Sequence, residues 1–379
     1  MSDPLPPARI LWISEGQLGD ILLLAPALRA LKETFPGTTQ TCLILQRRSY
    51  SRAGIPGRRR STVNEPSGGT AEVFAANRAV DAVAEIDRTA LRALGGWARL
   101  LAELSIVAWL RRGRFDVVIS AFPQDRFLVW GWLSGAHVRI GEGKGWAKVL
   151  LSRRIDTSRR TRGVLRYYCA LAEAAGARVA SHRTEFRVSK EAEAWASQRL
   201  QEAGLAEREY VAVHPGASGN YRIWPPASYA TVIDHLQEVM HVPVLLCGSA
   251  YDRDVVEAVL GACRSTVCVI DASDGVSRLA ALLRRAALCL SNNSGPRHLA
   301  VAVGTPTLAV IPRFDDIEWK VYEDEARCGT VQSPLVCPSC GADACHNRIP
   351  EGQRFGSYCL HAVQVSEVVE RIHSVLSSR

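Results

Sequence analysis

No apolar run in this 379-residue sequence approaches the roughly 20 residues a helix needs to cross a bilayer. A helical membrane-spanning architecture is therefore excluded. The opening Met1-Ser2-Asp3-Pro4-Leu5-Pro6-Pro7 lacks the basic residues of a secretory signal, and the apolar segment behind it reads as a strand and a helix. The expected address is the cytoplasm, where the eleven cysteines are expected to stay reduced. Charged residues make up only 22% and hydrophobic residues 47%, which excludes disorder, collagen or coiled coil as the main architecture. At about 150 residues per domain, the length implies two domains or three.

Charge is unevenly distributed. Residues 1–180 carry 27 Lys+Arg against 15 Asp+Glu, a net of +12, and the remainder carries a net of −4. Solubility does not demand such an asymmetry, so the first half is expected to face something anionic.

Strand and helix patterns alternate along the chain. Arg9-Ile10-Leu11-Trp12-Ile13 reads as a buried strand, Glu15 to Asp20 as a glycine-containing turn, and Ile21 to Phe35 as a helix stopped by Pro36-Gly37. Further strands are expected at Thr41–Leu45, Val80–Ile86, Val117–Ser120 and Val138–Ile140, with an irregular Arg/Gly/Ser-rich loop at 46–72. The second half repeats the style with strands at Tyr210–His214, Val242–Cys247, Val267–Ile270, Leu288–Ser291 and Thr307–Ile311. This order implies an α/β protein of two doubly wound domains, whose ligands should bind at the carboxyl ends of the strands in a cleft between facing sheets. The boundary lies near 180–208. We draw a first domain over 1–185, a second domain over 186–363, and a last helix within 364–379 packing back onto the first domain.

Three turns could carry chemistry. Asp20, behind Gly19, is either a helix-capping acid or a general base, with the glycines allowing close approach. His214-Pro215-Gly216-Ala217-Ser218, followed by Arg222-Ile223-Trp224-Pro225, reads either as an anion-binding concavity completed by Arg222 or as a plain loop with a solvated arginine and a packed tryptophan. Ser291-Asn292-Asn293-Ser294-Gly295-Pro296-Arg297-His298 joins a strand to a helix. It suits a pyrophosphate at the helix N-terminus, although ordinary capping with a core histidine would look the same.

Together these segments are specific. Gly16-x-x-Gly19-Asp20, His214 to Ser218 with Arg222-x-Trp224-Pro225, and Asn293-Ser294-Gly295-Pro296-x-His298 with Gly304-Thr305-Pro306 resemble glycosyltransferase family nine, the heptosyltransferases. Asn77-x-x-Val80-Asp81 and Val138-Arg139-Ile140-Gly141 match the same pattern in order, so the resemblance runs over roughly residues 8 to 375. It implies a GT-B fold and inverting, metal-independent transfer of heptose from ADP-heptose to the lipopolysaccharide core or a related glycan. By position, Asp20 matches the base, Ala217, Ser218 and Arg222 the nucleotide and phosphate contacts, and Ser294, Gly295 and His298 the pyrophosphate loop. Asn293 stands where the family usually has Asp, Arg222 where Lys is common, and Arg297 where an apolar residue is usual. A protein acceptor and a non-catalytic nucleotide-sugar or glycolipid binder are the alternatives.

Gly19 and the loop arginines Arg58, Arg59 and Arg60 are expected on the acceptor side, facing a phosphorylated glycolipid at an anionic membrane surface, as are Arg153 to Arg166. Solvated arginines would read the same, and no nucleic-acid reading motif accompanies the charge. Leu91 to Arg112, with Trp97 and Trp109 among leucines and arginines, reads either as a core helix or as one lying on the membrane surface at the inner face. Cys337, Cys340, Cys345 and Cys359 form a dense group that either holds a structural zinc or iron or consists of reduced thiols. Within the resembled family, a branch that heptosylates autotransporter proteins has an iron-bound cysteine motif. No cofactor is expected in catalysis.

Overall fold

The computed structural model describes residues 7–46, 63–65, 68–273, 275–313, 318–319, 321–324, 326–335 and 349–377. The chain divides into two compact units, Met1–Thr184 and Glu185–Arg379.

The first unit runs β1 (Arg9–Glu15), α1 (Leu18–Thr34), β2 (Thr39–Gln46), α2 (Gly68–Ala75), β3 (Ala82–Asp87), α3 (Arg88–Ala93), α4 (Gly96–Gly113), β4 (Val117–Ser120), α5 (Asp125–Leu133), β5 (Val138–Glu142), β6 (Arg153–Ile155), α6 (Arg159–Arg162) and α7 (Val164–Ala174). Its six strands are all parallel, in the order β3-β2-β1-β4-β5-β6. Central strands buried on both faces need continuous apolar runs, and Ile10 to Ile13 supplies one with every side chain fully buried. Helices α1 and α7 pack together on one face of the sheet. On the other face, Ile106 and Leu110 of α4 and Phe127 and Trp130 of α5 share a core with alternate residues of β1, such as Leu11 and Ile13.

The second unit runs α8 (Lys190–Glu202), β7 (Val211–His214), α9 (Pro226–Glu238), β8 (Val244–Gly248), α10 (Arg253–Leu260), β9 (Cys268–Asp271), α11 (Val276–Arg284), β10 (Leu288–Asn292), α12 (Gly295–Ala302), β11 (Thr307–Ile311), β12 (Cys328–Gln332), α13 (Tyr358–His361) and α14 (Val365–Ser377). Its strand order, β12-β11-β10-β7-β8-β9, repeats that of the first unit read from the opposite edge, again all parallel. The doubly wound α/β reading holds for both units, and each has a switch point where the winding reverses, between β1 and β4 and between β7 and β10.

Three elements differ from the sequence expectation. The edge strands β6 and β12 are absent from the sequence reading, because Arg153-Arg154 and the half-polar Cys328–Gln332 lack the apolar run of a central strand. The C-terminal helix, expected on the first domain, instead buries Val368 and Ile372 in the core of the second, against α9 and β10 to β12.

Candidate active site

The first unit's turn at its switch point holds Asp20. The residue lies in the first turn of α1, whose N-cap is Gln17, so Asp20 is not the capping acid. Its carboxylate is only 6% exposed. Oδ1 accepts from Arg159 Nη2 of α6 at 2.9 Å and from the Tyr168 hydroxyl of α7 at 3.3 Å. Burial pushes the carboxyl above the ordinary carboxylate range; the Arg159 charge and both hydrogen bonds pull it down, and Glu15 adds a smaller push upward. Arg159 is itself buried, with its guanidinium carbon 4.3 Å from the centre of the Phe122 ring. It is therefore not one of a cluster of solvated arginines, and an isolated buried cation would be costly without the Asp20 carboxylate.

Beside it, Glu15 ends β1 and accepts on Oε1 from Arg88 Nη1 at 2.6 Å and from Gln124 Nε2. These three polar side chains come from the end of β1, the start of α3 and the N-cap of α5. Gly16 has a reason unrelated to substrate approach. A Cβ there would lie 2.3 Å from Ile44 Cγ2 of β2, so the bare Cα is what lets the turn cross its neighbour strand. Gly19 is buried within α1. Arg58, Arg59 and Arg60 lie outside the described residues.

In the second unit, Asn292 organises the site. It ends β10, is fully buried, donates from Nδ2 to the Pro215 carbonyl, 2.5 Å away, and accepts on Oδ1 from the Trp224 amide at 2.9 Å. One side chain thus fixes the turn after β7 and the segment carrying Arg222 to the end of β10. Arg222 lies on a short 3-10 turn, half-buried, with its guanidinium over the Tyr221 ring. Trp224 is fully buried edge-on to Tyr229, so within this motif the tryptophan packs and the arginine keeps access to solvent. Ala217 is half-buried and Ser218 exposed. Gly216 is filled from behind: a Cβ there would meet Asp252 Oδ1 at 1.8 Å, and Asp252 also lies 3.6 Å from His214 Nε2.

Ser294 is the N-cap of α12, yet its side chain makes no cap bond, and its Oγ is buried without a hydrogen-bond partner among the described residues. Gly295 opens the helix, with Pro296 in its first turn, where the missing N–H costs nothing. The amides and dipole of such a terminus favour an anion. Asn293 is buried and accepts on Oδ1 from Arg297 Nη1 at 2.9 Å, so two of the three departures from the resembled pattern are partners. Arg297 is fully buried, and its Nη2 donates to the Cys328 carbonyl at 3.3 Å. His298 Nδ1 is hydrogen-bonded to the Tyr322 hydroxyl at 2.9 Å. Burial first, and then the Arg297 charge, lower its pKa to about 3, so the ring is neutral at physiological pH.

Of the four cysteines singled out, Cys359 is buried with Sγ 3.2 Å from Ser357 Oγ, and Cys337, Cys340 and Cys345 lie outside the described residues. Among the described residues, no group of three or more His, Cys, Asp or Glu could hold a metal ion.

The sequence reading missed Arg159, Tyr168 and Asn292. Arg159 and Tyr168 are 139 and 148 positions from Asp20, and nothing local in the sequence marks them as its partners. Asn292 did carry a signal: consecutive residues at a strand end point to opposite sides, so the pair Asn292-Asn293 must send its side chains in different directions.

The sequence profile described as glycosyltransferase family 9 (heptosyltransferase) matches residues 104–341. The chain belongs to glycosyltransferase family 9. It is accordingly a glycosyltransferase, and its two doubly wound units make up the GT-B fold of that family. Lipopolysaccharide heptosyltransferase 3 of Escherichia coli K12 is 23% identical over 315 residues, which cover 81% of this chain and 83% of that one. Among solved structures, a family 9 glycosyltransferase from Veillonella parvula superposes with a TM-score of 0.73 at 18% identity, covering 98% of both chains. Escherichia coli heptosyltransferase WaaC with ADP-2-deoxy-2-fluoro heptose gives a TM-score of 0.63 at 17% identity, covering 96% of this chain and 99% of that one. No helix among the described residues is long and apolar enough to cross a membrane.

Proposed function

We propose that this family 9 glycosyltransferase moves a heptose from ADP-heptose to a hydroxyl of the lipopolysaccharide core or a related glycan, with inversion at the transferred carbon. The observation that carries the donor half is the buried Ser294 Oγ at the N-terminus of α12, which has no hydrogen-bond partner among the described residues. A buried hydroxyl without a partner costs free energy, and a diphosphate oxygen is the acceptor that a helix N-terminus favours. Arg222, on a segment tied to the same strand end through Asn292, adds a cation, while Ala217 and Ser218 supply contacts to the nucleotide. Asn293 and neutral His298 contribute uncharged hydrogen bonds, so charge neutralisation falls to Arg222 and the helix dipole. The named relative acts on lipopolysaccharide, and the WaaC structure carries an ADP-heptose analogue, which supports this donor and acceptor.

The acceptor hydroxyl must lose a proton as its oxygen attacks, and Asp20 is the group assigned to take it. Both hydrogen bonds to its carboxylate fall on Oδ1, so Oδ2 is the basic atom. Its raised pKa makes the carboxylate a stronger base than a solvated aspartate would be. The bond from the anomeric carbon to the diphosphate breaks as the new glycosidic bond forms, and ADP leaves with the pair of electrons. No step calls on a metal. Zinc or iron on Cys337, Cys340, Cys345 and Cys359 is a separate structural reading, tested by metal analysis of the purified protein. The acceptor is a phosphorylated glycolipid at the inner face of the cytoplasmic membrane, with Gly19 and the Arg58-Arg59-Arg60 loop on its side.

The test is Asp20→Ala. Transfer to lipopolysaccharide-core acceptor, followed by mass of the product, should fall about 100- to 10,000-fold, the usual worth of a general base. Calorimetric binding of ADP should be kept. Full turnover by the variant would remove Asp20 as the base; loss of ADP binding in Arg222→Ala without loss in Asp20→Ala would support the division of labour.

A further inference from the structure

Helix α4 is apolar on two opposite faces. Ala102, Ile106 and Leu110, spaced by four, are buried in the core of the first unit. A surface helix would carry polar residues on the other face. Here that face presents Trp97, Leu101 and Leu104, which are 80%, 65% and 55% exposed, flanked by exposed Leu100. Positions 97, 101, 104 and 108 recur at helical spacing, so this is a second continuous stripe rather than scattered apolar residues.

The charges around the stripe are of one sign. Residues 88–114 hold six arginines and a single acid, Glu103. Glu103 is turned away from the stripe, pairing with Arg126 Nη2 at 3.2 Å and accepting from Trp130 Nε1 at 2.9 Å, both on α5. Arg92, Arg99, Arg111, Arg112 and Arg114 are all exposed. The same helical layer continues through α5 to the 3-10 turn Trp146–Leu150, whose Ala147 amide donates to Asp125 at 3.1 Å. Trp132 on α5 and Trp146 on that turn are each more than half exposed, so the strongly exposed tryptophans among the described residues all belong to this one layer.

We infer that the outer face of α4 is a docking surface for an anionic lipid bilayer, its Trp97–Leu101–Leu104 stripe set into the headgroup boundary and its arginines against lipid phosphates. Tryptophan and leucine at the apolar face, with arginine alongside, is the residue set that the interface of an anionic membrane selects. The inference rests on the proposed reading in one respect, that a lipid-anchored acceptor gives such docking a purpose. The experiment does not depend on it.

The full-length protein is floated with vesicles of phosphatidylglycerol and phosphatidylethanolamine that contain no glycan, and with phosphatidylcholine vesicles. Wild type should float with the anionic vesicles, be released by high salt and stay behind with phosphatidylcholine. The variant Trp97→Ser/Leu101→Ser/Leu104→Ser should lose at least tenfold of the bound fraction while keeping its melting temperature and its ADP affinity. The pair Arg111→Glu/Arg112→Glu, on the stripe's side of the helix, should lose binding in the same way. Wild type that fails to float overturns the inference, as does a triple variant that floats equally well. Light scattering that shows a wild-type dimer dispersed by the triple variant, without vesicle binding, overturns it too and assigns the face to a second copy. Failure of glycosyl transfer in wild type would count against the proposed function and leave the flotation result standing.

Discussion

Asp20 Oδ1 and Arg159 Nη2 lie 2.9 Å apart with both side chains almost wholly buried, so the carboxylate assigned to proton removal is held by a cation the sequence had placed among surface charges. The pair sets how basic Asp20 is. Burial raises its pKa, Arg159 lowers it, and the upward push is the larger.

Arg159→Met should therefore raise the pKa of Asp20 further and move the acidic limb of the pH–rate profile to higher pH. A shift of one unit corresponds to about 1.4 kcal/mol of lost interaction. Activity near neutrality should fall and recover in alkali, whereas damage to packing alone would lower the whole profile. An unmoved acidic limb would show that Arg159 does not tune the base. The same variant should melt lower at neutral pH, by as much as about 3–5 kcal/mol for a buried charge left alone, and less in acid where Asp20 is protonated.

Stability against pH follows from the same shift. The folded pKa of Asp20 lies above its value in the unfolded chain, so the folded state holds the proton more tightly. Its contribution is fully present below the ordinary carboxylate value of 3.8 and is lost as pH rises through the shifted value. Asp20→Asn, which cannot ionise, should lack this dependence. Melting curves of the two proteins from pH 3 to pH 7 should show the difference moving in favour of the variant as pH rises; parallel curves would contradict the shift.

Arg222 is the cation assigned to the diphosphate. Arg222→Ala should weaken ADP by about 10- to 100-fold, the 1.5–3 kcal/mol of a charge-assisted hydrogen bond. Adenosine, which has no phosphate, should bind both proteins alike in calorimetry. Arg222→Lys should recover part of the loss, since it restores charge without the planar fork.

Asn292 ties two turns to one strand end, so its removal should act on both. Asn292→Ala leaves the Pro215 carbonyl and the Trp224 amide unpaired in a buried place, at about 1–3 kcal/mol each. Thermal unfolding should show the loss of stability and calorimetry a weaker ADP complex. Asn292→Asp keeps an acceptor for Trp224 but sets a buried carboxylate oxygen against the Pro215 carbonyl, so near neutrality it should be at least as destabilising as Ala. ADP affinity unchanged in the Ala variant would separate this node from the donor site.

Much of this protein could be read from the order of its residues. Parallel strands buried on both faces must be nearly continuous in apolar residues, so Ile10 to Ile13 and Thr307 to Ile311 announce themselves, and alternation with helices fixes a doubly wound α/β chain. The segments that follow β1, β7 and β10 carry Asp20, Arg222 and Ser294 in a recognisable order. What the sequence could not yield depends on contacts between distant positions. Edge strands such as β6 have no apolar run to betray them. Gly16 and Gly216 read as openings for a ligand, and only packing shows them closed by Ile44 and Asp252. Arginines at 153 to 166 look alike in sequence, yet one of them is buried against Asp20, because charge is local in the chain while burial is decided by what folds over it. The α4 stripe makes the same point in reverse: leucine and tryptophan predict burial, and only the tertiary structure decides which of two apolar faces the core will take.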